Sequence, residues 1–302
     1  MKIGGHETFY PRPGWLTKGL LHLHAGGSGF FTTAEIADAL GVGRNMAKSI
    51  GWWLHTMGLA ERPVRTGPLE LSAFGRVIAE RDPFMTTLGT WWLIHVTAQT
   101  AQTGASLTWF FSHRRPDRFD RSSLVEALSE ELTVRRGKTP ALKSVQREVA
   151  TILHAYAVPV PRPSRDPEDN LGCPLQRLDL IRHVRATDRF ERSDPTPIPA
   201  EAIGLLLSAL GISRPTQSLD EGVTLSVPAT GTLLVRAGAI IGKNREAFLN
   251  IASDAESLLG SEKIAVGFHA SERIISLRSA RAATWAGLYY DRLEKSSQGQ
   301  AA

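Results

Sequence analysis

Cysteine is almost absent from this 302-residue chain: Cys173 is the only one. That excludes an internal disulfide framework and any zinc or iron–sulfur site built on several thiolates, so a metal would need histidine and carboxylate ligands. Long apolar runs are absent too. No stretch approaches the roughly 18 uninterrupted apolar residues of a membrane helix, and the opening Met1 to Gly5 has no apolar signal core. The expectation is a soluble, cytoplasmic protein with no membrane partner. Gly26-Gly27-Ser28-Gly29 is rich in glycine but lacks the Gly-Lys-Ser/Thr ending of a phosphate-cradling loop, so ATP use would belong to partner proteins. No repeat of solenoid period and no low-complexity tract is found.

What is present is enough apolar residue for real cores, 42% of the chain, and a mild excess of positive charge, +5 with a pI near 9.5. The excess is unevenly placed. Residues 1–199 hold 25 Lys and Arg against 20 Asp and Glu, whereas residues 200–302 hold 10 of each. A polyanionic partner would therefore meet the first two thirds of the chain, with plain solvated surface as the alternative reading.

Residues 32–80 carry the clearest local pattern. Thr32-Thr33-Ala34-Glu35 spells a capping box, with a threonine three residues ahead of a glutamate, and Ile36, Ala37 and Leu40 give one apolar helix face. Gly41-Val42-Gly43 breaks that helix. Arg44 to Met57 resumes helical spacing, with Met46, Ala47, Ile50, Trp53, Leu54 and Met57 inward. A Pro/Gly turn at 63–68 between short apolar pieces reads as a hairpin, and a further helix runs from Ser72 through Ala79. Helix, turn, helix, hairpin is the order of a winged helix-turn-helix. Arg44, Asn45 and Lys48 would then face the major groove, and Arg62 and Arg65 would lie in the wing. These side chains suit phosphate and base-edge contact, though the same fold also serves as a dimerisation or docking module.

Beyond Asp82-Pro83, the run Leu88 to Ala101 is a strongly apolar helix, and Trp109, Phe110 and Phe111 extend an aromatic core. A basic run with Arg114, Arg115 and Arg118 leads into two amphipathic helices. The second, Ala141 to Tyr156, has Leu142, Val145, Val149, Ile152 and Leu153 on one face and Lys143 and Arg147 on another. This pair reads as a second helix-turn-helix-like module. The proline-rich, charged connector 159–170 is expected to be mobile or extended. Leu171 to Leu175 and Leu178 to Ile181 form a small apolar return, followed by a mixed-charge stretch that suggests a salt-bridged surface. After the prolines at 194–199, Ala200 to Leu210 reads as a helix, Val223 to Val227 and Thr232 to Val235 as β pieces, Phe248 to Leu259 as a helix, and Ile264 to Phe268 with Ile274 to Leu277 as a hairpin. Ser296 to Ala302 is expected to be disordered. The fold class is thus mainly α (α+β) in three parts: 1–82 with the winged helix-turn-helix, 83–193 a helical middle, and 194–302 a small α+β domain.

Several dense strings occur in order: Gly5-His6-Glu7-Thr8-Phe9 with Arg12, Gly14-Trp15-Leu16 and Lys18-Gly19; Leu71-Ser72-Ala73-Phe74-Gly75; Asp82-Pro83-Phe84; Gly89 to His95; Thr108 to Phe111; and Asp169 to Leu175. Together they make the chain resemble the SspB family, a component of the bacterial Ssp DNA phosphorothioation and phage-defence system, best over residues 4–181. The resemblance implies a DNA-nicking protein that acts on double-stranded DNA with a cysteine desulfurase, an ATPase and an ATP-pyrophosphatase-like sulfur-transfer enzyme. It does not itself supply a catalytic set.

Phosphodiester hydrolysis needs an activated water, charge neutralisation at phosphorus and protonation of the leaving oxygen. His6 and Glu7 could supply a base and a carboxylate for magnesium or manganese, with Arg12 and Lys18 opposing phosphate charge. Adjacent residues reach one site only where the backbone is irregular. The competing reading has His6 and Glu7 pin the N-terminal segment by hydrogen bonds. The familiar PD-(D/E)XK, HNH, HxK and GIY-YIG signatures are missing. Asp166, Glu168 and Asp169 form a second carboxylate cluster, more simply read as solvated, and Cys173 reads as a buried small residue rather than a sulfur relay. A DNA-binding adaptor and a transcription regulator stay open as alternatives, as does a homodimer.

Overall fold

The computed structural model describes residues 3–27, 29–64, 66–100, 104–112, 117–160, 172–211, 224–228, 231–269 and 272–299. The chain is mainly α with an α+β component. It packs as two units, neither a single stretch of sequence: Met1–Ser72 with Ala101–Phe110 and Arg115–Thr196, and Ala73–Thr100 with Phe111–Arg114 and Pro197–Ala302.

In the first unit, α1 (Trp15–His24), α2 (Ala34–Leu40) and α3 (Arg44–Thr56) precede a two-stranded antiparallel hairpin, β1 (Ala60–Glu61) and β2 (Glu70–Leu71). The cap of α2 lies one residue later than the box pattern implies: Thr33, not Thr32, accepts the Ile36 N–H at 3.4 Å. Gly41, at φ 63°, ends α2 and Gly43 opens α3, so three residues turn the chain. α3 buries Ala47, Ile50, Trp53 and Leu54. It approaches α1 closely because Gly19 has no side chain: a Cβ there would lie 2.6 Å from Leu54 and 2.8 Å from Ile50.

The same unit continues with α6 (Ala105–Ser112), of which residues to Phe110 belong here, then β3 (Arg118–Phe119), α7 (Arg121–Arg136) and α8 (Leu142–Tyr156). Asp120 caps α7 by accepting the Ser123 N–H at 2.8 Å. α8 runs directly into β4 (Ala157–Val160), which pairs in parallel with β5 (Ile181–Val184); β6 (Arg189–Arg192) joins β5 to β3. The sequence reading missed this sheet, because no strand exceeds four residues and Arg118, Arg182, Arg189, Glu191 and Arg192 interrupt its apolar positions. Its buried face is a ring stack, Phe119 on Phe190 at 5.8 Å and Phe190 on His183 at 4.6 Å. Its charged face is the anticipated salt-bridged surface, with Arg182 on Asp179 at 2.7 Å and Arg118 on Glu191 at 2.9 Å. Leu142, expected inward, is 59% exposed, since the buried stripe of α8 begins a turn later at Val145.

The second unit holds α4 (Ala73–Arg81), α5 (Leu88–Thr100), α9 (Ala200–Gly211), α10 (Thr232–Ile240), α11 (Arg245–Leu259) and α12 (Ala282–Gly299), with a sheet of β7 (Thr224–Pro228), β9 (Glu272–Arg278) and β8 (Ile264–His269) in that order. Two expectations fail here. Thr232 to Val235 is the start of α10, not a strand, because Leu234, Ala237 and Ile240 recur every third residue on a buried face. Ser296 to Gly299 is helical: α12 continues past its buried Trp285, Ala286, Tyr289 and Tyr290, and Arg81 holds its outer side through Asp291 at 2.7 Å and Glu294 at 3.1 Å. Trp91, Trp92 and His95 of α5 are core, as are Trp109 and Phe110 in the first unit. No helix among the described residues is long and apolar enough to cross a membrane.

Candidate nucleic-acid interface

The N-terminal string folds as a tight irregular turn around one histidine. Phe9 N–H returns to the His6 carbonyl at 2.9 Å and Thr8 N–H to His6 Nδ1 at 3.1 Å. The turn takes Glu7 to φ 49° and Thr8 to φ 67°, left-handed values that a β-branched residue adopts only under constraint. Irregular backbone was the condition for adjacent His6 and Glu7 to serve one place, and it is met.

Because Nδ1 accepts the Thr8 N–H, the ring hydrogen sits on Nε2, which donates to Glu148 Oε2 at 2.8 Å. Both side chains are 2% exposed. Glu148 collects two more donors, the Gly4 N–H at 2.9 Å and the Ser106 hydroxyl. Burial pushes the Glu148 carboxyl up, but His6, Ser106 and the Gly4 amide together outweigh it and hold the group below the usual carboxylate range. His6 thus has both nitrogens engaged and acts in this arrangement as a latch, with Glu7 half-buried beside it.

The same segment is fastened to α3. The ring of Trp52 stands edge-on to His6 at 5.3 Å, Trp53 Nε1 donates to the Phe9 carbonyl at 2.9 Å, and a Cβ on Gly5 would collide with Trp52. Tyr10 packs against His154 of α8 at 5.6 Å. Sequence reasoning missed Glu148 and Ser106. For Glu148 a signal existed: it lies three residues after Val145 and four before Ile152, an acid on the apolar stripe of an amphipathic helix.

The basic candidates are distributed as follows. Arg44 and Asn45 are exposed and Lys48 half-buried in the first turns of α3. Arg62 is exposed and donates to the Gly67 carbonyl, closing the hairpin loop. Arg12 is exposed and lies over Trp15 at 5.4 Å and Phe9 at 6.0 Å. Lys18 donates to the Leu40 carbonyl at 3.2 Å, at the end of α2. Lys143 and Arg147 are exposed on α8, whereas Arg118 is tied to Glu191. Arg65, Arg114 and Arg115 lie outside the described residues, as do Asp166, Glu168 and Asp169. Cys173 is buried, which pushes its thiol up to about 12 and keeps it protonated. Among the described residues no group of three or more His, Cys, Asp or Glu could hold a metal ion.

A mainly helical chain of this arrangement has an SspB-like fold. The crystal structure of magnesium ion-bound SspB superposes with a TM-score of 0.75 at 18% identity, over 98% of this chain and 87% of that one. A second SspB crystal structure gives 0.70 at the same identity and coverage. The chain belongs to the DUF4007 family, "Protein of unknown function", whose model matches residues 3–227. No curated protein matches it.

Proposed function

We propose that this chain is a duplex-DNA-binding protein that nicks one strand in a DNA phosphorothioation and phage-defence system, alongside a cysteine desulfurase, an ATPase and an ATP-pyrophosphatase-like sulfur-transfer enzyme. The observation that carries the DNA part is α3. It has no acidic residue, exposes Arg44 and Asn45 in its first turn, and is followed by a hairpin bearing Arg62, an order that supports a winged helix-turn-helix reading. The SspB-like fold over nearly the whole chain supports the system.

Nicking adds one water across a phosphodiester: the water oxygen bonds to phosphorus, the bond to one sugar oxygen breaks, and the proton ends on that oxygen. With both His6 nitrogens occupied, Glu7 is the residue proposed to accept the water proton, and Arg12 the one to oppose phosphate charge. His6 would act by holding Glu7 in its left-handed turn. One SspB structure is magnesium-bound, but the described residues here offer no assembled metal cage: Glu148 has its oxygens taken, and Glu7 is a single carboxylate. A magnesium or manganese ion would have to draw most of its ligands from DNA phosphate and water, and no step is assigned to it.

The saturated His6 ring favours one second reading, a non-catalytic adaptor that binds DNA and recruits the sulfur-transfer enzyme. Conversion of supercoiled plasmid to open circle separates the two, assayed with magnesium, manganese or chelator and with Glu7→Ala. Nicking lost in well-folded Glu7→Ala supports the enzyme. A mobility shift without nicking supports the adaptor, and neither activity refutes the proposal.

A further inference from the structure

We infer that α3 and α8 present one continuous surface to a single DNA duplex, coupled through the N-terminal segment Gly4 to Tyr10. This rests on the DNA-binding reading above and adds which faces touch the duplex and what holds them in register.

Arg44, Lys48 and Trp52 recur every fourth residue of α3 and so share one side of that helix; Lys143, Arg147 and Thr151 do the same on α8. Both rows end at the same side chain. Trp52 meets the His6 ring at 5.3 Å, and Thr151 Oγ1 lies 3.4 Å from His6 Nδ1. Two basic rows carried by helices about a hundred residues apart in sequence are thus brought together at one buried imidazole.

Charge identifies the occupant. α3 has no Asp or Glu, and the one acid of α8, Glu148, is turned inward and held by His6, Gly4 and Ser106. Neither exposed row therefore carries a carboxylate to repel a phosphate. α7 differs, with Glu126, Glu130 and Glu131 along its length, and is not part of the surface. A duplex backbone, with charges repeating along both strands, is the polyanion that two separate cationic rows can engage at once, each neutralised phosphate releasing counterions.

The segment makes the two rows a rigid pair. Four contacts fasten it, His6 to Glu148, Gly4 to Glu148, Trp53 to Phe9 and Trp52 to His6, the first of them fully buried and the others partly so. Rigid placement means that the second helix binds without a further cost of ordering. It also sets Glu7, next in sequence to His6, where the two rows meet.

The test is a salt titration of binding to a short labelled duplex, followed by fluorescence anisotropy, with the full chain as wild type, Arg44→Ala/Lys48→Ala, Lys143→Ala/Arg147→Ala and all four together. These side chains are exposed or half-buried, and thermal melts check that each variant folds. Expected is a loss of about 1.8 in the slope of log K against log salt for each pair, two phosphate contacts at about 0.9 each. The losses should add in the fourfold variant, with one duplex bound per chain. An unchanged slope for Lys143→Ala/Arg147→Ala beside a reduced one for Arg44→Ala/Lys48→Ala overturns the shared surface and leaves DNA binding by α3 standing. Two duplexes per chain overturns it too. No salt-dependent binding by wild type overturns the DNA-binding reading itself.

Discussion

His6 and Glu148 stand 142 residues apart in sequence and 2.8 Å apart in the fold, each 2% exposed. A carboxylate so buried is tolerable only because it has donors on both oxygens, two backbone or ring N–H groups and one hydroxyl. The pair therefore ties the N-terminal turn to α8 more firmly than the turn's strained backbone would hold alone.

Removing one partner should be costly in proportion to that burial. His6→Ala leaves Glu148 without its ring donor, and a loss of about 3–5 kcal/mol is expected, read as a lowered midpoint in urea. Glu148→Gln keeps the shape and part of the hydrogen bonding and should lose less. A His6→Ala protein as stable as wild type would show that the latch does not hold the first unit together.

Acid should weaken the second unit through His95. His95 is fully buried with Nε2 3.0 Å from the Ile240 carbonyl, and burial pushes its pKa down from 6.5 to about 4 although the carbonyl pulls the other way. The unfolded chain then takes up a proton that the folded chain refuses. Its contribution is complete above about pH 6.5 and falls away toward pH 4, by on the order of 3 kcal/mol. Glu148, lowered from 4.5, loses its contribution only further down, as pH drops through its own folded pKa. Melts between pH 7 and 4.5 should show the decline, and His95→Phe should flatten it.

The crossing of α9 and α12 depends on a missing side chain. A Cβ on Gly204 would overlap the ring of Trp285, whose Nε1 donates to Ser208 at 3.0 Å and so cannot swing aside freely. Gly204→Ala should destabilise by about 1–3 kcal/mol through overpacking, measured by thermal melting. An unchanged melt would mean the two helices separate more readily than their packing implies.

Cys173 should be inert in the native protein. Its thiol, raised to about 12 by burial, offers almost no thiolate at neutral pH. An aromatic disulfide reagent should label it only after denaturant is added, and Cys173→Ala should leave DNA binding and nicking unchanged. Rapid labelling of the folded chain would reopen a sulfur-relay role.

Much of the local structure was legible in the sequence. Gly41-Val42-Gly43 announces the break between α2 and α3, and the apolar spacing of Ala47, Ile50, Trp53 and Leu54 names the buried side of α3, because glycine and helical period act over a few residues. The sheet of β3 to β6 was hidden for the opposite reason. Its strands are short, its pairing joins Phe119 to Phe190, and no local pattern records a partner seventy residues away. The C-terminal helix was misjudged at Ser296 because polar composition suggested disorder, while packing at Trp285 and Tyr289 carries the helix onward.

The sequence by itself determined helices α2, α3, α5, α8, α9 and α11, that α3 bears no acid, and that Arg44, Asn45, Lys48, Lys143 and Arg147 lie on their outer sides, since periodicity decides what faces water. Only the tertiary structure decided that His6 is a latch and that Glu148 is its partner. A helical period can place an acid on a buried stripe, but the identity of the group that neutralises it depends on which distant segment the chain brings across, and that is settled by packing.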